Sequence, residues 1–144
     1  MKNSLETQRW LKDAEACLST AQTVFSLGDY RAAVQNAQLC IELSAKAVIA
    51  CFAEPVWRHD PSKQLLKLIE EHGSEIEEGL SERLHGLAND VQEAAPWHGW
   101  SVYGRLEPKG WMPAVDLCTE ETARDLLKKA TQGFQTASEF CSKL

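Results

Sequence analysis

"WLKDAEACLSTAQTVFSLGDYRAAVQNAQLCIELSAKAVIA", Trp10 to Ala50, decides the fold. Trp10, Ala14, Cys17, Ala21, Val24 and Phe25 recur at steps that place them on one face of a helix. Gly28 follows, a residue able to take positive φ just beyond a final turn. Asp29 then offers a side-chain acceptor to the first N–H groups of a second helix, which the pattern predicts over roughly residues 30–52. Val34, Ala37, Ile41, Val48 and Cys51 make one stripe of that helix, with Leu39, Leu43, Ala47 and Ala50 beside it. An apolar surface this wide suits a central helix touched by several neighbours. Glu42 and Lys46, one turn apart, read as an exposed-face pair worth ~0.3 kcal/mol.

The pattern extends in both directions. Upstream, Asn3 with Glu6 three residues later has the form of a capping box for the first helix. Downstream, Asp60 and Pro61 open a third helix on which Leu65, Leu68 and Ile69 supply the buried side, and Gly73 stops it. Ser74 with Glu77 repeats the capping-box pattern. Ile76, Leu80, Leu84, Leu87, Val91 and Ala94 mark a fourth helix closed by Pro96. Thr119 is the expected cap of a fifth, whose first turn carries Glu120 and Glu121 on the favourable side of the helix dipole. Its face runs Ala123, Leu126, Leu127, Ala130, Phe134, Ala137, Cys141 and Leu144.

Residues 96–118, "PWHGWSVYGRLEPKGWMPAVDLC", interrupt this regularity with three of the five tryptophans and three of the five prolines. Neither a 3.6-residue nor a 2-residue period fits them, so a long ordered loop is expected. Fixing such a loop costs conformational entropy that burial must offset. Trp97, Trp100, Trp111 and Met112 are the candidates for that burial, against the bundle or a second copy of the chain. The expected architecture is all-α: one domain over 1–144, an antiparallel up-and-down bundle of about five helices with a Trp-rich loop before the last.

Composition narrows the functional classes. The net charge is −6, and residues 61–95 hold three basic and eight acidic side chains. A general nucleic-acid clamp needs Lys and Arg for phosphate, so any such contact must lie away from that acidic third. Five cysteines without a CxxC pair read as small reduced core residues. No apolar run reaches bilayer length and the N-terminus lacks a signal-peptide core, so a cytoplasmic protein without a membrane partner is expected. His72 and His85 have no ligands at metal spacing, and no metal or cofactor is expected.

"GDYRAAVQNAQLCIEL" suits a tetratricopeptide repeat, but nothing recurs at the period of about 34 residues that such repeats need. The longer stretch resembles the first two helices of the HEPN family (higher-eukaryote and prokaryote nucleotide-binding), in Trp10, Ala14, Leu18, Ala21, Gly28, Tyr30, Gln38, Glu42, Lys46 and Ala47. His59–Asp60 is similar to that family's His-Asp opening of the third helix. "YGRLEP" resembles its segment before the last helix, and "CTEETARDLLKKA" the start of that helix. The resemblance implies a homodimeric helical bundle, found in the family as ribonucleases of toxin–antitoxin or defence systems, as inactive partners of nucleotidyltransferases, or as nucleotide-binding modules.

The family's ribonucleases carry an Arg followed four to six residues later by a His. There the guanidinium holds phosphate and the imidazole moves protons. No arginine of this chain has that spacing. The leading expectation is therefore a noncatalytic binding or regulatory module, prokaryotic and homodimeric, pairing with a nucleotidyltransferase or recognising nucleotide or RNA. Arg58, His59, His98, Tyr103 and Arg105 are the candidate contacts, Arg for charge and aromatics for stacking on a base. Two alternatives stay open: a metal-independent endoribonuclease with a rebuilt His98/Arg105 site, and a scaffold that binds protein only.

Overall fold

The computed structural model describes residues 4–143, with backbone alone described for Ser4. In chain order its elements are α1 (Ser4–Ser26), α2 (Tyr30–Ala50), α3 (Ser62–Glu71), α4 (Glu78–Ala94), α5 (Trp97–Tyr103), β1 (Arg105–Glu107), β2 (Gly110–Met112), α6 (Ala114–Leu117) and α7 (Glu120–Ser142). The Asn3 cap and Leu144 lie outside the described residues.

The turn between the first two helices forms as its residues predict. Gly28 takes φ +81°, and the Asp29 side chain accepts from the Ala32 N–H at 3.1 Å. A connection this short makes α1 and α2 antiparallel neighbours. Thr119 caps α7 by accepting from the Thr122 N–H at 3.2 Å. Asp60 accepts from the Ser62 N–H at 2.9 Å, with Pro61 just before the first helical residue. The start of α4 departs from expectation. Ser74 lies in a 3₁₀ turn, Gly73–Glu75, and α4 begins after Glu77 with no side-chain cap. The capping box does not form because Ile76 is extended, at φ −110° and ψ 130°.

α2 runs through the middle of the bundle, against α1, α3, α4, α5 and α7. Ile41, Val34, Val48 and Ile49 from α2 meet Leu65 of α3, Leu84 and Val91 of α4, and Ala130 and Ala137 of α7 in one core. All five cysteines are free, with Cys40, Cys51, Cys118 and Cys141 buried. Burial pushes the Cys40 thiol up to about 12, which makes it a small core residue rather than a nucleophile. Among the described residues, no helix is long and apolar enough to cross a membrane.

Residues 96–118 are more regular than a loop. Pro96 opens α5 with helical angles. Gly104 leaves it at φ +84°, and the antiparallel β1–β2 hairpin turns at Gly110, φ +119°. The expected long loop is thus a helix, a hairpin and the single turn of α6. Seven residues of helix and three of strand are too short to display a period, which is why neither pattern shows in the sequence. Trp97 packs on the core and meets Trp100 edge-on, with ring centroids 5.3 Å apart. Trp111 and Met112 are exposed. The burial expected of all four side chains is therefore supplied within the chain by Trp97 and Trp100 only.

Candidate functional site

The centre of α2 carries polar residues where its breadth predicts apolar ones. Arg31, Gln35, Gln38, Glu42 and Lys46 follow one another at steps of three or four residues, so they form a single seam along the helix. At its upper end, Arg31 donates to the Ser101 and Val102 carbonyl oxygens at 2.8 and 2.9 Å. Gln35 adds a second donor to the Ser101 oxygen at 3.0 Å. These bonds satisfy carbonyls that the end of α5 leaves without helical partners, and they dock α5 on α2.

Further along the seam the groups are buried. Glu42 is 4% exposed and Lys46 7%, so the pair does not sit on a solvent face as its spacing alone suggests. Lys46 Nζ donates to Glu42 Oε2 at 3.0 Å. Gln38 Nε2 donates to Glu42 Oε1 at 3.1 Å. The Lys46 ammonium also lies 5.7 Å from the Trp10 ring centroid, within the range of a cation–π contact. A buried carboxylate keeps its charge only with such partners.

Two histidines complete the cluster. His59, from the turn before α3, places Nδ1 3.3 Å from Glu42 Oε1. His98, in α5, places Nδ1 3.2 Å from Gln38 Oε1. Their rings stack with centroids 3.6 Å apart and planes 19° from parallel. The carbonyl oxygen of Gln38 can only accept, so His98 Nδ1 is the donor in this contact. An open depression of about 300 Å³ lies against His98, lined also by Gln35, Gln38, Ser101 and Val102. Tyr103, at the end of α5, is 82% exposed, and Trp57, two residues before His59, is 94% exposed.

Of the five candidates, the structure joins His59 and His98 directly. Arg58 is exposed beside His59. Arg105 is turned elsewhere: Nε donates to Glu107 Oε1 at 2.8 Å, and the guanidinium lies 4.7 Å from the Trp100 ring centroid. No hydrogen bond links Arg105 to His98 among the described residues. The groups that sequence reasoning passed over are Gln38 and Glu42 as partners of the histidines, and Arg31 and Gln35 as the docking point of α5. The polar seam at helical spacing, on a helix otherwise apolar on several sides, was the available signal.

Three comparisons bear on this arrangement. The family model described as "HEPN domain" matches residues 7–139. No curated protein matches. Among solved structures, the crystal structure of TT1696 from Thermus thermophilus is similar, with a TM-score of 0.70 at 25% identity, covering 93% of this chain and 97% of that one.

Proposed function

Because the chain belongs to the HEPN domain family, we propose that it is a noncatalytic nucleotide- or RNA-recognition module, with His59 and His98 at the centre of its contact surface. The observation that carries this reading is the stacked imidazole pair, brought together from two separate segments and anchored below by Glu42 and Gln38. Anchored rings lose little further freedom when a ligand binds, so more of the contact energy is kept. Arg58 supplies charge for phosphate beside the pair. Tyr103 and Trp57 expose broad ring faces of the kind on which unpaired bases stack. The departure from the family's Arg–His spacing favours binding over cleavage.

The wider assignment follows the family. The proposed working form is a homodimer, with Trp111 and Met112 on the exposed hairpin as the candidate seam, and a small nucleotidyltransferase is the proposed partner in a toxin–antitoxin-type system. A second reading has one geometric support. Glu42 beside His59 Nδ1 is the arrangement that orients an imidazole as a general base, so a metal-independent endoribonuclease would use His59 and His98 rather than His98 and Arg105.

Titration with nucleotides and short single-stranded RNAs, followed by intrinsic tryptophan fluorescence, tests the proposal. Binding that weakens about 10-fold in Tyr103→Ala and in His98→Ala is expected, since a stacking contact contributes ~1–3 kcal/mol. No response to any nucleotide or RNA overturns it. RNA cleavage in excess chelator, lost in His59→Ala, replaces it with the second reading.

A further inference from the structure

We propose that Glu42, His59 and His98 form a binding site for one divalent cation of the zinc class. One ligand atom from each residue lies within 4.8 Å of the other two. Two imidazoles and a carboxylate are a donor set that zinc favours, and three protein ligands leave a coordination position for water or a substrate oxygen. The chemistry is that of an open site rather than a closed structural one.

The distances within the cluster are informative. His59 Nδ1 and Glu42 Oε1 stand 3.3 Å apart, long for a charge-assisted hydrogen bond, which runs to about 2.7–2.9 Å. Around a zinc ion with bonds of about 2.0–2.2 Å, the ligand-to-ligand edge of a tetrahedron is about 3.3–3.5 Å. The pair is already at that edge. The full cluster is wider, so closing on an ion requires side-chain rotation. His59 can supply it, because its side chain is 59% exposed.

The surroundings resemble the supporting shell of a metal centre. Ligating histidines commonly give their other ring N–H to an oxygen, and ligating carboxylates are themselves hydrogen-bonded. Here Gln38 Oε1 accepts from His98 Nδ1, which leaves Nε2 to ligate, and Glu42 is held by Lys46 at Oε2 and by Gln38 Nε2 at Oε1, whose remaining lone pair, beside His59 Nδ1, would serve the ion. Lys46 is an adverse charge in contact with Glu42. Its ammonium is directed to Oε2 and towards the face of Trp10 rather than to the histidines. No ligand spacing betrays this site in the sequence, since its three residues come from α2, the turn before α3, and α5.

The test uses the full chain stripped with chelator, titrated with Co²⁺ and Zn²⁺ without nucleotide, so its outcome is independent of nucleotide or RNA recognition. The expected result is one ion per chain, visible d–d absorption from Co²⁺ without a near-ultraviolet thiolate band, and a rise in Tm with added Zn²⁺. His59→Ala and His98→Ala should each weaken binding more than about 10-fold. His59 is half-exposed, so the first variant should keep the fold. Any of three results overturns the proposal: no stoichiometric binding at about 100 µM metal, a thiolate band assigning the ion to Cys51 and Cys141, or affinity unchanged in either histidine variant.

Discussion

Replacing Lys46 by methionine tests whether the seam on α2 is a buried network or a surface decoration. The substitution keeps length and apolar packing but removes the ammonium 3.0 Å from Glu42 Oε2. Deleting one member of a buried ion pair costs about 3–5 kcal/mol, because the other charge stays out of water. Gln38 and His59 remain on Glu42 Oε1, which places the expected loss at the low end, ~3 kcal/mol. With a urea slope of about 1.5 kcal/mol/M for a chain of this size, the unfolding midpoint should fall by about 2 M at unchanged slope. The double variant Glu42→Gln/Lys46→Met leaves no orphaned charge and should recover most of the loss, a coupling of at least ~2 kcal/mol. The assay is urea denaturation followed by circular dichroism in chelator. A cost for Lys46→Met below ~1 kcal/mol, the range of an exposed pair, or additive losses in the double variant, would refute the reasoning.

Two further predictions concern the segment after α5 and the α4–α7 face. Gly104→Ala places a Cβ against the Met112 carbonyl oxygen at φ +84°; the left-handed backbone alone costs about 1–2 kcal/mol, so a total near ~3 kcal/mol is expected in denaturation, and a loss under ~1 kcal/mol would show that the hairpin is not held there. Burial raises the Asp90 carboxyl above its ordinary value, against the attraction of Lys129. The fold therefore penalises ionised Asp90. Asp90→Asn should stabilise at neutral pH, with the gain shrinking as pH falls through the raised folded-state value and gone below the ordinary Asp range, where both folded and unfolded chains are protonated. Thermal melts across pH check this, and a gain constant with pH would count against it.

Much of the architecture was legible because it is encoded locally. Gly28 and Asp29 specify a turn through φ and a side-chain acceptor, whatever packs above them. Thr119 acts in the same way on α7. The failures have equally definite causes. Ser74 and Glu77 carry the capping-box residues, but the extended Ile76 between them displaces the helix start, and a four-residue pattern contains no information about that backbone. α5 and the β1–β2 hairpin are too short for either period to register, and their conformation depends on Pro96, Gly104 and Gly110 rather than on alternation.

The candidate site divides along the same line. His59 and His98 were recognisable as residues, and the family's pattern around Gln38, Glu42 and Lys46 was present in α2. Their meeting was not recognisable, because it depends on two docking events: the turn before α3 folding back over α2, and Arg31 with Gln35 fastening the end of α5. The sequence by itself determined the helical class, the principal helix faces and most caps, all set by interactions within a few residues. Only the tertiary structure decided that Glu42 is buried and that two imidazoles stack beside its carboxylate. Those outcomes depend on which elements exclude water from which side chains, and solvent exclusion is a property of the assembled bundle rather than of any single stretch of chain.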